Sequence, residues 1–499
     1  MLPATGATAV EINVGNQPLG EVLQSVSRQS GAEFVLADGL ANDRISANVS
    51  EPVWNDAIRS LLNRYNYEAI TSPDGTLMRV IVSGRNGNAP ATSVTAEDML
   101  QYRPIPAQLP DKFRAMNPGS VIPVEIPREQ LLQMATGERV GLTLPGGHYE
   151  VIHDNRFEHE NGDVSWIGYL DNAGKAYRVI ITLGDQGSLG QAVTPEGIFN
   201  LEVEDGRTWL VDLNASGLQL SALENDDADP AASMGEFTDS RAKPKQAKAK
   251  AKAKTKTRAV NNAASTTAAN PVIDLMVLYT AGVKAAPTIA TRINNLIAKA
   301  NQAYIDSKIN LKLRVVYTAQ VSYTETGSND SALSELTLGR SAFSNVGALR
   351  SKYGADLVTL IRPFNYKSQL SCGVAWVNGA SGSNLKAGFG YSVISDGTDA
   401  AGGYYCSDFT LAHELGHNMG SAHDAAHSNV QGKYSYSYGY GANGKFGTIM
   451  SYYNPVVGFF SSPSLSHNGQ TLGTSTADNA KSINQTAGTV AGFMPSVVK

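Results

Sequence analysis

Residue types that bind metal recur at fixed spacing in His413-Glu414-Leu415-Gly416-His417-Asn418-Met419-Gly420-Ser421-Ala422-His423-Asp424. On a helix, side chains four apart share a face, with about 5–6 Å between Cβ atoms. His413 and His417 can therefore aim their imidazoles at one ion. Glu414 is offset around the helix, so it can reach a water on that ion without being a ligand. Gly420 lets the backbone leave the helix at positive φ, and the turn that follows can return His423 as a third ligand. Three neutral nitrogens and one open position make a catalytic zinc site. Zinc there lowers the pKa of its water to about 7 and polarises a carbonyl. An amphipathic helix with surface histidines is the plain alternative. It does not account for the glycine and the third histidine falling in register.

The pattern His-Glu-x-x-His-x-x-Gly-x-x-His resembles the signature of the metzincin zinc endopeptidases, which is followed downstream by a Met-turn. Asp424, directly after the third histidine, is similar to the adamalysin (reprolysin) branch. Phe446-Gly447-Thr448-Ile449-Met450-Ser451-Tyr452 resembles the Met-turn segment. The resemblance implies that Met450 packs beneath the ligands as a soft, polarisable base without binding the metal. It also implies a structural role for Asp424 in the turn after His423. Tyr452 points to a different branch. A tyrosine two places beyond this methionine resembles astacins and serralysins, where it binds zinc or stabilises the oxyanion. Either it donates to the developing charge, or it only packs. The expected chemistry is peptide hydrolysis by zinc-activated water, with Glu414 as general base and then general acid. His427 and His467 are read as loop residues without a role.

The chain has 499 residues, a 42% apolar fraction and a net charge of −5. That length suggests about three domains, and the mild acidity argues against a nucleic-acid partner. No apolar run approaches the roughly 20 residues of a membrane span. The start, Met1-Leu2-Pro3-Ala4, opens no apolar leader stretch. We nevertheless expect an exported chain whose signal has been removed, because an unrestrained peptidase endangers its own cell. The two cysteines, Cys372 and Cys406, both fall in the last domain. In an exported chain they suggest a disulfide, against the alternative of two buried thiols.

The expected fold class is multidomain: a small α/β module, a β-rich propeptide-like domain and an α/β metzincin-like catalytic domain. Residues 1–90 form the module. Val10 to Val14 alternates like a half-buried strand, and Leu19, Val22, Leu23 and Val26 sit at helical spacing. The β-α-β-β-α-β order resembles the short N-terminal domain of secretins and TonB-dependent receptors. This implies an envelope context and contact with secretion machinery; the plain alternative is that the module only begins the prosegment. Residues 106–223 read as short strands separated by Gly146-Gly147, Asn161-Gly162 and Asp205-Gly206 turns. By position this region resembles an adamalysin-type propeptide, so it is expected to act as an intramolecular inhibitor and folding aid. His148, His153 or His159, or the acidic neighbours Asp154 and Glu158, are the candidates here to cover the open zinc position. Residues 224–270 read as a disordered Lys/Ala-rich linker that is open to proteolysis. Its acidic start, Asp226, Asp227 and Asp229, is a candidate self-cleavage site only by a looser resemblance of the chain to peptidyl-Asp metalloendopeptidases, which implies cutting before acidic residues. Residues 271–499 form the catalytic domain, with helices alternating with strands.

The implied function is a secreted zinc endopeptidase made as a zymogen, reaching the exterior through the periplasm and acting on protein or peptide substrates. The resemblance extends, more loosely, to peptidyl-Asp metalloendopeptidases. One catalytic Zn2+ is expected, and no motif indicates Ca2+. The rival reading is a non-catalytic envelope or surface-binding protein whose zinc is structural. An intact Glu414 argues against it, since a structural site needs no general base.

Overall fold

The computed structural model describes residues 10–37, 40–62, 65–72, 76–85, 98–221, 226–231, 270–283, 289–369 and 371–498. The chain divides into two compact units, Met1–Thr95 and Ala96–Lys499. In the first, strand Val10–Pro18 pairs antiparallel with Arg44–Glu51. Strand Leu77–Arg85 runs between Glu33–Leu36 and Tyr65–Thr71. Helix Leu19–Ser30 buries Leu19, Val22, Leu23 and Val26 and ends at Gly31, whose φ of 76° takes the left-handed region. Helix Trp54–Leu61 adds Ala57, Ile58 and Leu61 to the same core. The order is thus the expected one with one strand more. Tyr65–Thr71 escaped the sequence reading because only Tyr65 among its described side chains is buried, which leaves little apolar alternation.

The second unit begins with a nine-stranded antiparallel sheet spanning Gln101–Tyr102 to Arg207–Asp212. Val140, near one edge, and Leu210, toward the other, belong to one buried cluster, so the sheet curls around its core. Three of its strands were not expected, among them the two-residue Gln101–Tyr102. Val121–Glu125 carries a proline, and Gly187–Thr194 carries two glycines. At Gly190 a Cβ would lie 2.1 Å from the Ile180 carbonyl oxygen, so close backbone approach requires glycine there.

The catalytic region holds a six-stranded sheet in the order Asp227–Ala228, Gly373–Trp376, Tyr391–Asp396, Leu357–Pro363, Val272–Thr280, Lys312–Val321. All pairs are parallel except Gly373–Trp376 with Tyr391–Asp396. Helix Ile289–Asp306 and the ligand-bearing helix Thr410–Asn418 cover one face, with Leu296, Ile297, Leu411 and Leu415 in a shared core. Helix Asn329–Leu338 ends at Gly339 (φ 62°), which separates it from helix Val346–Tyr353. Cys372 and Cys406 form a disulfide, with Cα atoms 5.5 Å apart.

One finding corrects the domain boundaries. Residues 226–231 fall inside the segment read as a disordered linker, yet Asp227–Ala228 forms the outermost strand of the catalytic sheet. The Lys/Ala run itself lies outside the described residues. Met99 and Leu100, ahead of the expected β-domain start, are buried in its core.

Helix Ile289–Asp306 is where the β domain docks. Arg178 bridges Asp154, at 2.7 Å, and Asp306. Asn295 Nδ2 donates to Thr182 Oγ1 at 3.0 Å. Lys299 donates to Gln191 Oε1 at 2.9 Å and pairs with Asp408. Burial lowers the Lys299 ammonium to about 8, against the pull of Asp408. Arg292 also holds Asp408, which stands two residues ahead of the ligand-bearing helix. A buried ion pair is strongly destabilising to break one-sidedly. This network therefore pins the start of that helix and couples it to the β domain.

Candidate metal centre and active site

Helix Thr410–Asn418 carries His413, Glu414 and His417, all fully buried. Its C-terminal end is anchored by Asn418, whose Nδ2 donates to the carbonyls of Trp376, at 3.2 Å, and Tyr391, at 3.0 Å. Gly420 takes φ 90° and carries the chain back. A Cβ there would lie 2.7 Å from Lys433 Cβ, so both space and conformation select glycine. The turn returns His423 so that its Nε2 lies 3.1 Å from His413 Nε2 and 2.9 Å from His417 Nε2. The outward nitrogens are fixed by the backbone. His413 Nδ1 donates to the Ile449 carbonyl (2.6 Å) and His417 Nδ1 to the Ser421 carbonyl (2.9 Å). With Nδ1 carrying the hydrogen, each Nε2 presents a lone pair inward.

Met450 is fully buried. A Cβ on Gly416 would meet its Sδ at 2.6 Å, so glycine at 416 is what lets the sulfur lie against the helix. Asp424 accepts hydrogen bonds from both sides of the turn. Its Oδ1 accepts from Ala426 N (3.2 Å) and His427 Nδ1 (2.7 Å), and its Oδ2 from Tyr452 N (3.1 Å). The third-histidine turn is thereby tied to the Met-turn segment. His427 thus has a partner in this turn, and His467 ends strand Ser462–His467 beside Tyr177.

A fourth group completes the cluster. Asp226 is fully buried, with Oδ1 2.7 Å from His423 Nε2 and Oδ2 3.3 Å from His413 Nε2. Tyr452 Oη donates to Asp226 Oδ1 at 2.8 Å. Among the described residues, Asp226, His413, His417 and His423 form the one group able to hold a metal ion. The donor set fits zinc: three imidazole nitrogens and a carboxylate oxygen converge on one point. The residues expected to cover the site lie elsewhere. His153 stacks on Trp166 with centroids 5.0 Å apart, and His159 meets Ser165 Oγ at 2.8 Å. His148 contacts Thr143 Oγ1 at 2.9 Å, Asp154 is paired with Arg178, and Glu158 with Arg156. All five thus find their partners within the β domain rather than at the ligand cluster. The sequence signal for Asp226 was its place in a short acidic run, which was assigned to cleavage instead.

The electrostatics follow from burial. Burial alone would raise the Asp226 carboxyl, but His423 and His413 beside it hold it well below the usual carboxylate range. Burial, and then His423 and His413, push His417 well down. For His423, burial works downward, but Asp226 outweighs it and raises the imidazole. Burial, and then Asp226, Asp227 and Asp330, raise Glu414 well above its ordinary value. Both Glu414 oxygens are buried without a hydrogen-bond partner among the described residues. A Cβ on Gly373 would lie 2.2 Å from Glu414 Oε1, so strand Gly373–Trp376 must be glycine there to admit the carboxyl. Tyr452 is raised by burial and then by Asp226, so its phenol keeps its proton.

Comparison with known proteins agrees with this geometry. Residues 269–480 match the Metallo-peptidase family M12B Reprolysin-like, and residues 107–216 match the BamI lipocalin-like domain. A peptidyl-Asp metalloendopeptidase of Pseudomonas aeruginosa is 32% identical over 268 residues, covering 47% of this chain and 42% of the relative. A protein of the same name from Xanthomonas campestris pv. campestris is 30% identical over 203 residues, covering 40% and 45%. The chain thus spans less than half the length of these relatives. Metalloproteinase-II from Bacteroides fragilis aligns over 71% of this chain and 92% of that one, at 11% identity and a TM-score of 0.39. The sequence matches and the site geometry put the last domain in the class of metzincin-like zinc peptidases. The β-rich region is lipocalin-like, a resemblance the sequence reading did not draw.

Proposed function

We propose that the chain is an exported precursor of a zinc endopeptidase, kept latent by the segment that runs from its β domain into the catalytic cleft. The observation that carries this reading is the convergence of Asp226 with His413, His417 and His423 beside Glu414, which has no hydrogen-bond partner among the described residues. A zinc ion held by the three histidines would supply Lewis acidity and an acidified water. Glu414 takes the proton of the attacking water and hands it to the leaving amine, as a general base and then a general acid. Tyr452 donates to the substrate oxygen as negative charge develops there. In the precursor, Asp226 Oδ1 occupies that oxygen's place as the acceptor of the phenol.

Latency follows from the same atoms. The Asp226 carboxylate stands where a scissile carbonyl has to enter, and the strand behind it fills the edge of the sheet. Ala375 N donates to the Asp226 carbonyl (3.1 Å) and Val377 N to the Ala228 carbonyl (3.0 Å). A carboxylate rather than a peptide carbonyl faces the ligands, so the segment binds as a plug. Cleavage beyond residue 231 and release of this strand then open the cleft. The name shared by the relatives points to substrates cut next to aspartate. The first unit, by its resemblance, contacts secretion machinery during export.

Metal removal gives the test. The matured protein hydrolyses casein, loses that activity to a chelator, and regains it with one equivalent of zinc. Matured protein that holds zinc and cleaves no casein or peptide would return the site to the non-catalytic reading.

A further inference from the structure

The third histidine is held differently from the other two. His413 and His417 each give their Nδ1 hydrogen to a main-chain carbonyl. His423 is fully buried, yet its Nδ1 has no hydrogen-bond partner among the described residues. A metal-ligating histidine ordinarily passes that hydrogen to a carboxylate or carbonyl, which fixes the ring and raises its basicity. The group facing His423 Nδ1 is Asp227, whose Oδ2 is 3.6 Å away. Asp227 is itself clamped: Oδ2 accepts the Asn429 main-chain N–H and Oδ1 accepts Asn429 Nδ2, each at 3.1 Å. Its side chain is 2% exposed. Asn429 belongs to an exposed stretch of the catalytic domain, whereas Asp227 belongs to the plug. The pocket therefore stays with the enzyme and its occupant leaves.

We propose that this pocket is an acidic subsite of the mature enzyme and that Asn429 is its specificity-determining residue. An aspartate of the substrate, next to the scissile bond, enters as Asp227 leaves. Its carboxylate accepts both Asn429 donors and gives His423 Nδ1 the partner that the catalytic domain lacks. Chemistry selects the carboxylate. The donors Asn429 N–H, Asn429 Nδ2–H and His423 Nδ1–H converge there, while the neighbouring carboxylate, Asp424, is already taken by Ala426, His427 and Tyr452. An asparagine side chain would bring its own N–H groups into a pocket lined by donors and leave hydrogens unpaired, the situation that discriminates most strongly. The bound aspartate thus also orients a metal ligand, so its effect reaches kcat as well as KM.

This inference rests on the endopeptidase reading. The test uses matured enzyme and peptides that differ only in Asp, Asn or Ala at each position flanking the cut. The wild type prefers Asp over Asn at one flanking position, in kcat as well as in KM. Asn429→Ala lowers that preference about tenfold or more, the usual size of a lost hydrogen bond to a charged group. Asn429→Asp, which sets a carboxylate against the incoming one, reverses it. Asn429 is exposed, so neither change removes core packing. Variants that keep the wild-type ratio of Asp to Asn cleavage would overturn the assignment. Failure of the wild type to cut any peptide would instead remove the endopeptidase reading beneath it.

Discussion

Glu414→Gln is expected to leave zinc in place and to lower peptide hydrolysis by about 10²–10⁴-fold, the usual range for a positioned general base. The substitution keeps the volume of a fully buried side chain and does not touch the three nitrogens. It removes only the ability to take a proton. The fold should tolerate it well. Burial and the carboxylates of Asp226, Asp227 and Asp330 raise Glu414 in the metal-free precursor. A raised folded value contributes stability below the ordinary carboxyl pKa that is lost as pH rises above it. The amide has nothing to lose over that range. Metal-free Glu414→Gln precursor should therefore unfold at a temperature at least equal to wild type at neutral pH. Zinc counted by mass or absorption, beside the initial rate on a quenched peptide, checks the pair of outcomes. Full activity in the variant would remove Glu414 from the mechanism.

Asp226→Ala carries the second large effect. Uncleaved wild-type precursor should turn over peptides very slowly, because a buried carboxylate takes the fourth position. Loss of one partner from a buried charge cluster is worth several kcal/mol, and about 1.4 kcal/mol is tenfold. The uncleaved variant should then hydrolyse small peptides about a hundredfold faster than uncleaved wild type. The strand pairing to Ala375 and Val377 and the clamp on Asp227 persist. Small peptides should consequently gain more than casein does. Intact-mass measurement after the assay verifies that the chain was not cut. Equal rates in the two precursors would mean that the cleft is masked by other residues.

Much of this site was legible in the chain because its ligands are local. His413, Glu414 and His417 follow helical spacing, and Gly420 and His423 follow one turn later, so a single stretch encodes most of the geometry. Met450 and Asp424 came with the resemblance, and the pairing of Cys372 with Cys406 followed from there being two cysteines in one domain. Asp226 was read differently because its partners lie far along the chain. An acidic run beside a Lys/Ala segment looks solvated, and only tertiary packing buries it. Asn429 was invisible for the same reason: nothing in its neighbours marks a clamp. In the β domain, glycines in Gly187–Thr194 hid a strand that close packing requires. The network of Lys299, Arg292 and Asp408 was hidden because charged residues on a helix ordinarily face water.

The central claim is that one metal centre is shared by three histidines of the catalytic domain and one aspartate of the segment ahead of it. A crystal of the zinc-loaded, uncleaved precursor, measured on both sides of the zinc absorption edge, tests it most directly. The account predicts a single anomalous peak about 2.0–2.2 Å from His413, His417 and His423 Nε2 and from an Asp226 carboxylate oxygen. A peak whose fourth ligand is water or another side chain would contradict the latency mechanism. The absence of a peak between the three histidines would contradict the enzyme itself.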